Sequence, residues 1–393
     1  MGLYVHVPFC KTKCPYCDFN TYQGIDDLME PFLPALMAEI ECWGETLSHP
    51  PVKSVFFGGG TPSYLPPGYI ERILASIQAS FRVDPGAEIS IEANPGDLDA
   101  AACAGILGQG VNRLSIGVQS LDNDLLNLLG RRHQASEAVQ AFEAARQAGF
   151  DNVNLDLMYG LPNQSMDQWR QTLDSLVSLA PEHISLYALT LEEGTPMHRW
   201  AEDGKIPQPD PDLAADMYQY ARESLATAGY HHYEISNWSL PGRACEHNLV
   251  YWENGPYLGV GPGAHSRLGD HRFWTILSPR DYNAKAPAWA AAGARPAGGL
   301  ADPVLQGIPT VGGWEQLSQE TVCSETMFLG LRLLDGLNLS DASALISVDL
   351  AEKFRIPIQE CIQLGLLEQD GDCLKLTKPA YLIANQAFTR FLE

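Results

Sequence analysis

The stretch YVHVPFCKTKCPYCDFN, residues 4–20, places three cysteines within eight residues, directly after a short apolar run. Cys10, Cys14 and Cys17 are separated by three and then two residues, and Asp18 and Phe19 follow directly rather than a fourth cysteine. Three thiolates at this spacing predict a [4Fe–4S] cluster in which one iron has no protein ligand. A structural zinc ion needs a fourth ligand, and none follows within the usual short spacing. The alternatives are a zinc site completed from elsewhere in the chain and an incidental group of cysteines.

Apolar strand-like runs and helix-like segments alternate through the first half of the chain. Six runs rich in β-branched and aromatic residues are each followed by a segment with apolar residues at helical spacing. Such alternation predicts a parallel sheet with right-handed crossovers. The predicted strands are 3–7, 53–57, 88–94, 112–119, 152–158 and 183–189. The predicted helices between them are 26–47, 67–81, 98–107, 123–129, 136–148 and 166–179.

Glycine and polar residues collect at the C-terminal ends of these strands. Gly58-Gly59-Gly60-Thr61-Pro62 follows the second strand, and Glu92, Gln119 and Asp156 stand near the ends of the next three. Since the carboxyl ends of parallel strands meet at one edge, these residues predict a ligand site at the mouth of a barrel-like sheet. Tight turns and helix caps are the alternative uses of such residues. A doubly wound open sheet is the alternative fold.

Beyond about residue 190 the alternation ends and the composition changes. We divide the chain into a barrel with an added aromatic segment (1–283), a linker or surface excursion rich in Ala, Pro and Gly (284–324) and a small C-terminal domain (325–393). A winged-helix-like C-terminal domain is predicted by helices at 327–334, 341–353 and 358–364, a hairpin at 365–376 that turns at 370–372, and a final helix at 379–392. Because no basic recognition helix is present, packing or partner binding is its expected role.

The amino-acid composition indicates which partners and which cellular compartment to expect. The 393 residues are 45% hydrophobic, which suffices for a sizeable core, and the net charge of −23 makes nucleic acid and anionic membranes unfavourable partners. Nine cysteines, an odd number, do not resemble a secreted disulfide framework, and an iron–sulfur cluster requires a reducing compartment. No signal peptide and no membrane-spanning run is expected. We therefore predict a cytoplasmic protein with at most peripheral membrane contact.

The CxxxCxxC spacing after a short apolar strand resembles the radical S-adenosylmethionine (SAM) enzymes. In that family the open iron of the cluster binds the amino and carboxylate groups of SAM, and an aromatic residue, here Tyr16, precedes the third cysteine. The resemblance implies an α/β fold with a partial (β/α)6 TIM-type barrel. It assigns the three cysteines to the cluster and the following residues to SAM: Tyr4, Tyr16, Gly59, Gly60, Thr61, Glu92, Gln119, Arg131, Asp156 and Ala188. The guanidinium of Arg131 is suited to the SAM carboxylate, and a surface ion pair is the alternative.

The residues around the cysteines resemble one branch of this family, which contains the oxygen-independent coproporphyrinogen III oxidases and related heme chaperones. The segment 247–252, HNLVYW, matches the HNxxYW signature of the chaperones, and this implies heme ligation by His247. Cys245 is a further candidate ligand, whereas we expect His265 to be a structural residue. The oxidases carry a fourth cysteine where this chain has Phe19, and they have an N-terminal extension that this sequence lacks.

These features predict a heme chaperone that binds heme through His247 and passes it to heme-requiring proteins, respiratory ones among them. The [4Fe–4S] cluster and SAM would support transfer or dimerisation, so a homodimer is a further expectation. The alternative is an enzyme that decarboxylates coproporphyrinogen III to protoporphyrinogen IX, an activity we do not expect here. A third class is a cluster-bearing regulatory protein without a porphyrin ligand.

Overall fold

A large sheet surrounded by helices forms most of the molecule, for which a computed structural model describes residues 1–293 and 302–392. The strands of the large sheet are β1 (Gly2–Val7), β2 (Pro51–Gly59), β3 (Arg82–Ala93), β4 (Arg113–Gln119), β5 (Val153–Tyr159), β6 (His183–Ala188), β7 (His231–Glu234), β8 (Asn237–Ser239), β9 (Tyr257–Val260), β10 (His265–Leu268), β11 (His271–Thr275) and β12 (Val311–Gln316). A small second sheet contains β13 (Leu337–Asn338), β14 (Leu367–Asp370) and β15 (Cys373–Leu376).

The helices of the described residues follow the strands in the expected alternation. They are α1 (Met29–Thr46), α2 (Tyr69–Ser80), α3 (Ala100–Gly108), α4 (Asn123–Leu128), α5 (Ala135–Ala148), α6 (Met166–Ser178), α7 (Pro196–Glu202), α8 (Pro211–Thr227), α9 (Glu246–Trp252), α10 (Pro279–Ala292), α11 (Asp302–Gly307), α12 (Gln319–Gly330), α13 (Leu339–Ile346), α14 (Leu350–Lys353), α15 (Arg355–Gln363) and α16 (Asn385–Phe388). Local signals fix several ends. Ser165 and Gln168 form a capping box at α6, and Gly149 ends α5 in the left-handed conformation. No helix within 1–293 and 302–392 has the length and apolar content needed to cross a bilayer.

Strands β1 to β6 lie side by side in chain order, and each pair is parallel. A doubly wound sheet would instead reverse its order in the middle. The last of these strands, β6, pairs with antiparallel β8, while β1 pairs with parallel β9, so the six-stranded unit is flanked rather than closed on itself. This arrangement confirms the predicted partial (β/α)6 barrel.

The two faces of the parallel sheet differ in chemistry because apolar and polar residues alternate along every strand. One face is apolar and is buried beneath the helices, as at Val5, Val55, Ile91, Ile116, Leu155 and Ile184. Residues of the opposite face are polar or aromatic, as at Tyr4, Phe56, Glu92, Ser115, Asp156 and Ser185. The second face lines a cavity at the mouth of the barrel.

The region expected to be a linker differs from that expectation. Helix α10 packs on α1, where Trp289 meets Trp43 edge to face with ring centroids 5.4 Å apart, and β12 joins the edge of the large sheet. The alanines around residues 284–292 favour helix, which explains why an Ala-rich run forms α10 despite Pro287. Residues 294–301 of the expected linker lie outside the described residues.

The C-terminal segment has its own hydrophobic core, which includes Met327, Leu350, Phe354 and Phe391. The helices expected at 327–334, 341–353 and 358–364 correspond to α12, to α13 with α14, and to α15, and with the hairpin β14–β15 they give the predicted winged-helix-like arrangement. Gly371 lies in the two-residue turn of the hairpin. Three predicted helices differ in their bounds. The one expected at 327–334 begins earlier and ends earlier, as α12 (Gln319–Gly330). The one expected at 341–353 is divided at Ser347, whose φ is +58°, and the one expected at 379–392 consists of 3-10 turns on either side of the short α16.

Contacts around α9 attach this C-terminal unit to the barrel. The guanidinium of Arg332 lies 4.3 Å from the ring centroid of Trp252 and 3.5 Å from the buried carboxylate of Glu234. Asn254, just beyond α9, donates a 3.0 Å hydrogen bond to Thr326. The barrel segment that carries the HNxxYW signature is therefore held from the C-terminal side.

We expect Arg332→Ala to destabilise the protein by about 2–4 kcal/mol, because it leaves the buried Glu234 carboxylate without its cation. Arg355→Ala is the matched control, since Arg355 pairs with exposed Glu352 at 3.8 Å and its loss should cost less than about 0.5 kcal/mol. Urea unfolding of both variants measures the difference. Equal shifts of the unfolding midpoint would contradict the role given to the Glu234–Arg332 pair.

Candidate cluster and ligand site

The cysteine loop leaves the end of β1 and is closed at its neck by backbone hydrogen bonds. Cys10 donates to the Tyr22 carbonyl and Tyr22 donates to the Pro8 carbonyl, both at 2.8 Å. The three thiols of the loop line one cavity of about 640 Å³. In the described residues no three such side chains are placed to hold a single metal ion. A [4Fe–4S] cluster makes a different demand, since each thiolate binds its own iron.

The glycine triplet packs against this neck through its backbone. Gly60 donates a 2.7 Å hydrogen bond to the Val7 carbonyl, and Thr61 donates a 2.9 Å bond to the Phe9 carbonyl. A Cβ added to Gly60 would lie 2.6–2.7 Å from those two carbonyl oxygens and 3.1 Å from the Cys10 sulfur. Only glycine permits this approach. The hydroxyl of Thr61 also donates to the Cys10 sulfur at 3.6 Å.

A distortion at the end of β4 aims Gln119 into the cavity. The register with β5 shifts between Gly117 and Gln119, so Gln119 lies opposite Leu157 of the apolar face while its own side chain lines the cavity. Gln119 has a φ of +68°. A β-bulge re-aims a side chain in this way, and a left-handed non-glycine residue is a strained feature that is common at functional sites. Gly117 leaves room for the Gln119 amide and the Arg131 guanidinium, which lie 3.0 and 3.2 Å from the position of an added Cβ.

Arg131 lies between the sheet and the cysteine loop. It donates a 2.7 Å hydrogen bond to the Gly117 carbonyl and reaches the Cys14 sulfur at 3.7 Å. Its buried Nε has no hydrogen-bond partner in the described part of the chain. One guanidinium therefore faces both a cysteine sulfur and the cavity, where it can pair with an anionic ligand group.

Carboxyl groups are buried on the sheet side of the cavity. Glu92 accepts a 3.2 Å hydrogen bond from the Gly59 backbone, and burial, followed by repulsion from Asp156, raises its pKa to about 8. Burial also raises the pKa of Asp156, although Asn154 and Ser115 donate to its carboxylate. A cationic group that enters this region would favour ionisation of both acids.

His247 reaches the same cavity from α9 but is held by two hydrogen bonds. Its Nδ1 lies 3.0 Å from the Ser54 hydroxyl and its Nε2 lies 2.9 Å from the Tyr251 hydroxyl. The side chain is 1% exposed, and burial together with Arg113 lowers its pKa to about 3. The imidazole is therefore neutral, as iron ligation requires. Its Nε2 is engaged by the Tyr251 hydroxyl, so this nitrogen is not available to a metal while that hydrogen bond is present.

Glu88 on β3 holds the beginning of α9. Its carboxylate accepts hydrogen bonds from the backbone of Glu246 at 3.0 Å and of His247 at 3.2 Å, as a carboxylate does at a helix N-terminus. The Cys245 thiol donates to the same carboxylate at 3.4 Å, and burial raises its pKa to about 12. Cys245 is fully buried beside Glu88, whereas the three loop cysteines face the cavity.

Every residue assigned to the cluster, SAM or heme lines this one cavity, including Ala188 and Tyr16. Sequence reasoning missed a second layer of inward-facing residues: Arg113, Ser115, Asn154, Ser185 and Tyr187. The signal was available, because strands buried on both faces are usually apolar throughout, and these strands alternate. Arg113 is 2% exposed and supplies a buried positive charge 3.8 Å from Glu88.

A partial barrel with a three-cysteine loop at the mouth of a polar cavity defines the class of radical SAM proteins. In agreement, the family model of the radical SAM superfamily matches residues 4–176, and that of the HemN C-terminal domain matches residues 317–383. The solved coproporphyrinogen III oxidase HemN of Escherichia coli, described as a radical SAM enzyme, superposes with a TM-score of 0.82 over 99% of this chain and 89% of that chain. At 23% identity this likeness shows the fold alone.

The sequence relatives show to which branch of the radical SAM superfamily the chain belongs. The heme chaperone HemW of Mycobacterium tuberculosis is 38% identical over 98% of this chain and 93% of its own length. Proteins of the same name from Synechocystis and Bacillus subtilis are 37% and 32% identical, over 90% and 99% of this chain and 82% and 98% of their own. The chain belongs to the HemW family. The predicted family is thereby confirmed, and membership in the radical SAM superfamily implies a [4Fe–4S] cluster and SAM.

We expect Gly60→Ala to lower the iron and sulfide bound per chain, because its Cβ would displace the neck of the cysteine loop. The strain should also cost at least about 1 kcal/mol of stability. Gly105→Ala is the matched control, because no atom lies within 4 Å of the added Cβ in α3. Iron analysis and the visible spectrum after anaerobic reconstitution check the prediction, and normal iron content in Gly60→Ala would contradict it.

Glu92→Gln should stabilise the ligand-free protein while it weakens SAM binding. The folded pKa of Glu92 exceeds its unfolded value, so the folded state keeps a proton that the unfolded state loses, and the penalty grows as pH rises from about 4.5 to about 8. We expect a gain of about 1–3 kcal/mol at pH 7 that diminishes toward pH 5. Thermal unfolding across this range measures it, with exposed Glu143→Gln as the control. A gain independent of pH would argue against this ionisation.

Proposed function

We propose that this protein is a heme chaperone that binds heme through His247 and passes it to heme-requiring proteins, respiratory ones among them. One observation carries the proposal. The cluster cysteines, the residues suited to SAM and the HNxxYW helix α9 all line the same cavity. Two independent sequence signals, separated by more than two hundred residues, thus meet at one site.

In this proposal Cys10, Cys14 and Cys17 hold a [4Fe–4S] cluster, whose open iron supplies a coordination site and one-electron chemistry when the cluster is bound. Arg131 pairs with the carboxylate of SAM, and Glu92 and Asp156 face its positively charged groups. Gly59, Gly60 and Thr61 offer backbone and hydroxyl groups at the strand end. The observed cradle fits these roles, because an added Cβ at Gly60 would reach the Cys10 sulfur.

The aromatic surroundings of His247 support a role toward a porphyrin. Phe56 stacks on the imidazole with ring centroids 5.3 Å apart, and Tyr251 meets it edge to face at 5.1 Å. Ligation of iron at Nε2 requires that the Tyr251 hydroxyl leave that nitrogen. Tyr251 is partly exposed in the cavity, whereas the Ser54 bond to Nδ1 is fully buried and can keep the ring oriented.

A cytoplasmic location and a protein acceptor belong to the same proposal. Cys10, Cys14, Cys17 and Cys245 are thiols rather than disulfides, in keeping with a reducing compartment. Formation of a homodimer and at most peripheral membrane contact are further proposals. Acceptor docking on the C-terminal unit would place the acceptor close to α9, because Arg332 and Thr326 both contact that segment.

The decisive experiment compares heme binding with oxidase turnover in the reconstituted protein under anaerobic conditions, with SAM and a reductant present. We expect hemin to bind and coproporphyrinogen III to remain unchanged. His247→Gln keeps hydrogen-bonding capacity toward Ser54 and Tyr251 but removes the iron ligand, so the affinity of the cavity for hemin should fall by at least about tenfold. Tyr251→Phe frees Nε2 and should not weaken binding.

Formation of protoporphyrinogen IX would overturn the chaperone proposal in favour of the oxidase. Absence of both hemin binding and turnover would favour a regulatory protein without a porphyrin ligand. Cys14→Ser serves as the control for the cluster and should abolish its visible absorption. A normal [4Fe–4S] spectrum in that variant would refute the proposed ligand set.

A further inference from the structure

His265 differs from the other histidines of the chain. The sequence contains ten, and nine of them have a ring nitrogen in a hydrogen bond or ion pair with a described residue. The side chain of His265 is exposed and makes no such contact within the described part of the chain. The expectation that it is an ordinary hydrogen-bonded residue therefore does not fit the structure.

An aromatic surface supports the His265 ring. Trp274 on the neighbouring strand β11 stacks with it at a centroid distance of 5.9 Å and an interplanar angle of 29°. Trp274 in turn lies across Gly313 of β12, where a Cβ would collide with the indole. The two rings and the glycine form a broad, half-exposed aromatic surface on one face of β10, β11 and β12. Below, we call these three residues the rim platform.

The rim platform lies on the same face of the sheet as the cavity. Tyr4 pairs with Gly259 of β9, and β10 continues the sheet from β9. The turn between β9 and β10 and the segment after β11 are both tied to the cysteine loop, since Asn20 donates to the carbonyls of Pro262 and Leu277 at 3.0 Å. The rim platform is therefore next to the cavity mouth and outside it.

Charge on this face suits an iron porphyrin with carboxylate side chains. Partial desolvation, followed by Arg272, lowers the pKa of His265 and keeps the imidazole neutral and able to ligate metal. Arg267 and Arg272 form the register pair two residues further along β10 and β11, about 7 Å away by strand rise. Arg267 donates to the Asn254 carbonyl, and its buried Nε lacks a partner within the described residues. Arg272 is shared with Glu315 and Glu325, so Arg267 is the better candidate for a propionate.

We propose that the rim platform forms a second heme position, at which His265 ligates the iron and Trp274 packs against the porphyrin. This inference rests on the proposed function, because it takes heme as the ligand of the chain. The side chain of His265 is exposed to solvent, whereas that of His247 is buried. An exposed, singly ligated site releases its ligand more readily than a buried one, which suits a protein that must give heme away.

The His247→Gln background isolates this position. The reconstituted variant is titrated with hemin, freed of excess by gel filtration and analysed for heme by the pyridine hemochrome method and resonance Raman spectroscopy. We expect hemin to remain bound with a histidine–iron signature. Adding His265→Ala should remove that signature and lower the remaining affinity by at least about tenfold. His231→Ala is the matched control, an exposed histidine that pairs with Asp335 at the other edge of the sheet.

Chemical rescue with imidazole distinguishes the loss of an iron ligand from the loss of folded protein. Added imidazole should restore the axial-ligand signature in the His247→Gln, His265→Gly variant, which a merely structural role would not produce. Retention of the signature in His265→Ala, or failure of imidazole to restore it in the glycine variant, would overturn the rim position. Loss of all bound hemin in His247→Gln alone would overturn it too, while the proposed function stands. A wild-type protein that binds no hemin would refute the proposed function itself.

Discussion

The alternation of residues along six parallel strands is the constraint on which the rest of the structure depends. Because successive side chains point to opposite faces, a single run such as Glu88-Ile-Ser-Ile-Glu92 supplies both the apolar layer beneath the helices and the polar wall of the cavity. A shift of one residue in register would place carboxylates against the helices and leave apolar side chains in the cavity. Register is therefore fixed by burial on the helix side, and the geometry of the site follows from it.

Strand β3 shows how far this coupling reaches. Glu92 near its end accepts a hydrogen bond from the Gly59 amide of the glycine triplet. Glu88, four residues earlier on the same face, holds the first turn of α9 through two backbone amides. The orientation of His247 is thus set by a strand that belongs to the barrel, although the residue lies more than one hundred and fifty positions away. The glycine triplet, which packs against the neck of the cysteine loop, and the HNxxYW helix are each held by one acid of this strand. That arrangement links the two halves of the site mechanically.

Much of this could be predicted from the sequence, and the parts that could not have identifiable physical causes. The six strands and the convergence of the cysteine loop, Gly60, Glu92 and Asp156 follow from short-range patterns and from the rule that parallel strands end together. The hydrogen bond between Ser54 and His247 joins positions 193 residues apart, so no local pattern encodes it. The bond to Tyr251 follows from the i, i+4 spacing on α9. The bulge that aims Gln119 is also set by pairing with β5. The composition of the region around α10 predicts a linker, yet the region forms a helix because alanine has the highest helix propensity.

Helix α9 occupies the position at which the barrel and the C-terminal unit meet. Its first turn is fixed by Glu88, its cavity side presents His247 and Tyr251, and its last residue, Trp252, lies under Arg332. Arg332 also compensates the buried Glu234 at the end of β7, so it cannot move without leaving a charge unpaired. A displacement of the C-terminal unit would therefore be transmitted first to the end of α9 and only then to the histidine, five residues earlier. The Tyr251–His247 hydrogen bond lies within that span, between the iron-ligand candidate and the contact of Trp252 with Arg332.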